Sequence, residues 1–98
     1  MPYSPRDVEG MLRIKLNMVI ENADHKWFKL ELNGLPPIHT KLPNHREDIR
    51  DQLESKIHKQ LRIRKMFFRG LMDCTKNRAD YEEQIRRDPY PPFDILIV

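Results

Sequence analysis

The sequence predicts an α+β domain: a small antiparallel sheet of three strands with helices on one face, followed by further helices and a tail. Three observations carry this expectation. Two short segments, Trp27–Leu32 and Ile38–Leu42, alternate apolar and polar residues with the two-residue period of a half-buried strand. Segments with helical apolar spacing flank them, Val8 to Leu16 before and Ile49 to Leu61 after. The chain has 98 residues, 39% of them apolar and 34% charged, which suits one modest core and not two. We therefore expect a single domain over 1–98, with 4–72 as its central unit and 73–98 as a C-terminal extension.

Taken in order, Ser4-Pro5-Arg6-Asp7 reads as a helix start: Ser4 caps, Pro5 fits the first helical position, and Asp7 follows three residues after the cap. Val8, Met11, Leu12 and Leu16 then predict a helix from about Pro5 to Leu16. Met18 to Ile20 alternates and supplies the third strand if extended, and Glu21 to Asp24 reads as a polar turn. In the next strand Phe28, Leu30 and Leu32 face one way and Trp27, Lys29 and Glu31 the other. Asn33-Gly34 marks the turn into Ile38–Leu42, where Ile38, Thr40 and Leu42 face the core.

Asn44 can cap the following helix, in which Ile49, Leu53, Ile57 and Leu61 form one apolar stripe, with Arg50, Glu54, Lys56 and Lys59 on other faces. A break near Arg62-Ile63 precedes a short helix carrying Phe67, Phe68, Leu71 and Met72. Asn77 and Asp80 repeat the cap pattern and open a last helix with Tyr81 and Ile85. The prolines of Asp88 to Pro92 impose extended backbone, and Phe93 to Val98 is strand-like: it could edge the sheet, pair with another subunit in a homo-oligomer, or pack across the late helices.

Several function classes fall away. No apolar run approaches the roughly 18 residues of a membrane span, and the first residues do not resemble a signal peptide, so a soluble, cytoplasmic protein with no membrane partner is expected. Cys74 is the sole cysteine; it forms no internal disulfide and is expected to be a small buried hydrophobe. His25, His39, His45 and His58 fit no common zinc spacing, so neither metal nor cofactor is expected. Gly10, Gly34 and Gly70 stand alone and build no phosphate loop, and Ser4 and Ser55 are better placed as a cap and a helix-surface residue than as nucleophiles.

What remains is charge and one sheet face. The formal net charge is +3, and Lys56, Lys59, Arg62, Arg64, Lys65 and Arg69 crowd one stretch around His58, as a phosphate backbone would select. Helices on one side of the sheet leave the other side open, and alternation puts His25, Trp27, Lys29, His39 and Lys41 there. Lysines for phosphates, an indole for stacking and a histidine able to move a proton suit single-stranded RNA. The competing reading has Trp27 in the core and both histidines as ordinary strand polars.

The order of elements and two short motifs also resemble the HicA-type toxins of bacterial and archaeal toxin–antitoxin pairs, RNA-cleaving proteins with a double-stranded-RNA-binding-like fold. Ser4-Pro5-Arg6-Asp7-Val8-Glu9 is similar to their opening helix. Ala23-Asp24-His25 stands where they carry a Gly-Ser-His or Gly-Gly-His motif, and Leu42-Pro43-Asn44-His45 resembles their Val-Pro-x-His element. A helix like Gln52 to Leu61 follows, and the similarity spans about Ser4 to Phe68. The resemblance implies a metal-independent endoribonuclease acting on mRNA, with His25 as catalytic base, an RNA surface of Trp27, Lys29, His39, Lys41, His45, Lys56 and Lys59, and an antitoxin protein as partner. This sequence departs from the family in having Ala23 and Asp24 for the glycines and in running on from Asp73 to Val98. A non-catalytic RNA- or protein-binding module on the same fold is the alternative that these departures leave open.

Overall fold

A computed structural model describes residues 3–22, 26–43 and 48–93. His25 and His45, the Asn44 cap and the strand-like residues 94–98 lie outside the described residues. The described chain is a small α+β fold with a three-stranded antiparallel sheet and four α-helices.

α1 (Pro5–Gly10) starts as its sequence demands: the Ser4 hydroxyl accepts the Asp7 N–H at 3.1 Å, with proline at the first helical position. It continues without a break into a π-helical turn, Met11–Lys15, closed by Leu16 N–H to the Met11 carbonyl at 3.0 Å. The wider turn brings Met11, Leu12 and Leu16 all inward. Asn17 then takes a left-handed conformation (φ 57°), which asparagine tolerates better than most residues, and Met18 leads into β1 (Val19–Asn22).

β2 (Trp27–Leu30) pairs with both β1 and β3 (Ile38–Lys41), giving the order β1-β2-β3. The register sets Phe28 opposite Thr40 and Leu30 opposite Ile38, all four buried, so the expected core face is the observed one. The β1–β2 pairing shifts between Ile20 and Asn22, which makes Glu21 the extra residue of a β-bulge rather than part of a turn.

α2 (Asp51–Gln60) begins later than Asn44, because Ile49 is held in an extended bridge to Tyr3, its N–H 2.6 Å from the Tyr3 carbonyl. Ile57 and Leu61 are fully buried, while Leu53 is only partly so. Glu54, expected on a solvent-facing side, is instead buried at 3% exposure. α3 (Lys65–Met72) packs on that side of α2, and the Arg69 guanidinium donates to both Glu54 oxygens, at 3.1 and 3.5 Å. A buried carboxylate needs such a partner, and removing Arg69 would leave it unpaired.

α2 ends in a Schellman turn. Arg62 (φ 66°) sits just past the last turn, its N–H on the Lys59 carbonyl and that of Ile63 on the His58 carbonyl, both at 3.0 Å. The His58 ring, buried beneath, lies with Nδ1 2.8 Å from the Ile63 carbonyl, which makes that nitrogen the donor. α3 closes similarly, with Cys74 (φ 69°) exposed on the connection rather than buried. Cys74 thus serves as the left-handed residue that ends the helix and not as the small buried hydrophobe expected.

α4 (Arg78–Arg87) opens on a complete capping box between Asn77 and Asp80. It belongs to the same core: Tyr81 and Ile85 are buried with Leu12, Phe28 and Phe68 in one cluster, and the Tyr81 hydroxyl donates to the Leu61 carbonyl at 2.9 Å. Arg78 adds a bond to the Leu16 carbonyl at 2.7 Å, so α4 also caps the end of the π turn.

Two helix-interior glycines make opposite predictions. A Cβ at Gly10 would meet nothing within 4 Å, so Gly10→Ala should stabilise the protein by about 0.5–1 kcal/mol. A Cβ at Gly70 would meet Lys76 Cγ at 2.7 Å and Thr75 Oγ1 at 3.1 Å, so Gly70→Ala should destabilise it. Thermal unfolding of both variants checks the pair. Burial also raises the Tyr81 pKa above its ordinary 10.0. The unfolded chain therefore ionises first, and the stability Tyr81 contributes is complete below about pH 10 and lost as pH rises beyond it. Tyr81→Phe should cost about 1 kcal/mol at neutral pH, for the lost hydrogen bond, and should flatten the alkaline decline in denaturant titrations.

Candidate nucleic-acid interface

The face of the sheet away from the helices presents Val19, Glu21, Trp27, Lys29, Glu31, His39 and Lys41. Four of these are residues that the sequence assigned to an RNA surface, and the β2–β3 ladder groups them in two direct cross-strand pairs, Trp27 with Lys41 and Lys29 with His39. Trp27 is half-buried on this open face and not in the core. The Lys41 ammonium stands 5.7 Å from the indole centroid, within cation–π range. A stacking surface and a cation thus occupy one spot at the end of the sheet.

Two carboxylates complicate the face. Lys29 Nζ lies 2.9 Å from Glu31 and 3.5 Å from Glu21, and Glu21 also approaches His39 Nε2 at 3.8 Å. The hydrogen bond that the Lys29 ammonium donates to Glu31 is the main cause that raises the Lys29 pKa, with the charges of Glu31 and Glu21 adding to it. Lys29 is therefore locally neutralised, while Lys41 has only the indole beside it among the described residues. The alternation that turned Trp27 and Lys29 outward also turned Glu31 outward. Glu21 escaped because it reads as a turn residue, whereas β1 runs on to Asn22 and places it on the same side as Val19.

Lys56 and Lys59 are exposed on α2, and Lys59 borders a shallow groove of ≈ 320 Å³ beside His39 at the outer edge of β3. The basic stretch they belong to is not one surface. The Arg62 guanidinium packs 5.0 Å from the Phe93 ring centroid and donates to the Pro91 and Pro92 carbonyls. Arg64 covers Tyr90 at 4.7 Å and pairs with Asp88 at 2.7 Å, and Arg69 holds Glu54. Three cations of that run are thereby committed within the fold, clamping the 88–93 segment and α3.

His25 and His45 lie outside the described residues, so the structure gives neither a geometry. Lys26, which follows His25, adopts a left-handed conformation (φ 49°) and pairs with Glu9 of α1 at 3.0 Å. Among the described residues no three His, Cys, Asp or Glu side chains converge as metal ligands would, and no helix is long and apolar enough to cross a membrane. No protein-family model, curated protein or solved structure matches the chain significantly.

The charge network yields a direct expectation. Glu31→Gln should bring the Lys29 pKa down toward its ordinary value, with a smaller drop for Glu21→Gln, as followed by side-chain NMR titration. Stability should barely change, since these ion pairs are exposed and solvent screens them.

Proposed function

We propose that this protein binds single-stranded RNA on the open face of its sheet and cleaves it without metal, His25 acting as general base in the manner of the HicA-type toxins it resembles. The observation that carries the binding half is the half-buried Trp27 with the Lys41 ammonium 5.7 Å from its ring, on a sheet face that no helix covers. Stacking of a base on an aromatic ring contributes about 1–3 kcal/mol and tolerates any base, and an adjacent lysine supplies the phosphate contact. His39 borders the same face, Lys59 lies by its edge, and Lys56 adds exposed charge on α2.

The cleavage half rests on chemistry. A histidine ionises near neutrality and can take the proton from a ribose 2′-hydroxyl, whose oxygen then attacks the adjacent phosphorus and expels the 5′-oxygen of the next nucleotide. A lysine ammonium near the phosphate would stabilise the charge that builds on its oxygens, and Lys41 is better placed for this than the carboxylate-bound Lys29. An antitoxin protein that covers the same face is the partner this reading implies.

The carboxylates Glu21 and Glu31 favour a second reading, a non-catalytic module whose mixed-charge face meets a protein. Salt and substrate separate the two. With RNA as ligand, log K should fall linearly with log salt, and Lys41→Gln should flatten that slope by about 0.7. The purified protein should cleave single-stranded RNA in EDTA, and His25→Ala should lower the rate by about 10²–10⁴ while binding persists. A substrate with one 2′-deoxy sugar at the cut site should bind and survive. Its cleavage, or full activity of His25→Ala, would remove His25 from the mechanism, and the absence of RNA binding at low salt would leave the protein-binding reading.

A further inference from the structure

A groove of ≈ 740 Å³ lies away from the residues assigned above, between the exposed side of α1 with its π turn and the end of the sheet. Arg6, Gly10 and Arg13 line it from the helix, and Lys26 and Pro43 line it from the sheet end. The spacing of the first three, four residues and then three, puts them on one helical face. Arg6 and Arg13 are exposed at either end of that face, roughly 10 Å apart along the axis at 1.5 Å per residue.

Gly10 is the unusual member. It has ordinary helical dihedrals (φ −59°, ψ −43°), so it is not there for a left-handed turn. A side chain added to it would touch nothing within 4 Å, so no internal packing requires its absence. A glycine in a helix interior is unfavourable relative to alanine, and this one clears the floor of the groove for close approach to the backbone. Among the described residues that line it, three cations stand against one carboxylate, Glu9, which Arg13 and Lys26 share at 3.4 and 3.0 Å. The groove thus has the charge for an anionic strand and the clearance for a bulky backbone.

It is also continuous with the sheet face. Lys26 and Trp27 are consecutive; the first reaches Glu9 in the groove and the second lies beside Lys41 on the open face. The Leu42 N–H bonds the Lys26 carbonyl at 3.1 Å, which fixes the end of β3 to this crossing point. We propose that an RNA strand stacked on Trp27 passes over the sheet end at Lys26 and enters the α1 groove. Its phosphates there meet Arg6, Arg13 and Lys26, and its backbone lies against Gly10. The inference rests on the reading of the sheet face as an RNA surface and extends the footprint to a second side of the molecule.

Fluorescence anisotropy with uridine oligomers of about 4 and about 12 nucleotides tests it, the lengths bracketing a short and a long single-strand site. Gly10→Leu fills the groove floor with a strong helix former, so the variant should unfold at or above the temperature of the unaltered chain. It should bind the long oligomer several-fold more weakly and the short one unchanged. Arg6→Gln with Arg13→Gln should flatten the salt dependence of the long oligomer by about 0.7 per cation removed, and leave that of the short one alone. If these variants bind the long oligomer as the unaltered chain does while Trp27→Ala weakens it, the groove is no RNA site and the sheet face stands. If the unaltered chain binds neither oligomer, both readings fall.

Discussion

Phe28 opposes Thr40 and Leu30 opposes Ile38 across the β2–β3 ladder, and everything the protein shows to solvent on its sheet follows from that pairing. Side chains alternate with a period of two, so the register that buries these four must expose Trp27, Lys29, His39 and Lys41. A slip of β2 by one residue would bury Lys29 and expose Phe28 and Leu30, and a slip of β3 would bury Lys41 and expose Ile38. The apolar side therefore enforces the polar one. Burying each large aliphatic or aromatic side chain is worth about 1.5–3 kcal/mol, well above any cross-strand charge contact on the open face.

The sheet alone could not hold this register, and α2 is what fixes it. Its Ile57 and Leu61 cover the apolar face, while Gln60 accepts from the Thr40 hydroxyl at 2.7 Å and from the Lys41 N–H at 3.3 Å. Lys41 thus has its backbone held by the helix and its side chain laid beside the indole. On its other side α2 meets α3 through the buried Glu54–Arg69 pair, and Tyr3 packs edge-on to Phe68 at 5.9 Å nearby. Burial, and then the charge of Glu54, raise the Tyr3 pKa above its ordinary value. α4 completes the enclosure from the C-terminal segment, so residues past 73 supply part of the wall around the central unit.

Much of this was legible because it follows from period and cap chemistry. Ser4 with Pro5, and Asn77 with Asp80, mark helix starts by supplying acceptors for otherwise unpaired N–H groups, and both do so here. The strand alternation assigned core and open faces correctly. Pairwise contacts between distant segments were not legible. Glu54 looks like a surface residue until Arg69 arrives from another helix, and Glu21 looks like a turn residue until β1 extends through it and sets it on the open face near Lys29. The basic run from Lys56 to Arg69 reads as one patch because sequence records proximity along the chain, yet Arg62 and Arg64 are taken up by Phe93, Tyr90 and Asp88. Cys74 was misplaced for a related reason: composition favours burial of a lone thiol, but the residue ends a helix in the left-handed conformation and is exposed.

The functional account has its weight on Trp27. That residue is the only tryptophan in the chain, so its emission reports on the proposed site without a label. Titrating the protein with a uridine oligomer at low salt, while following that emission, tests the claim most directly. Stacking of a base on the indole predicts saturable quenching that weakens as salt rises. RNA binding, seen independently by anisotropy, that leaves the Trp27 emission unchanged would contradict it.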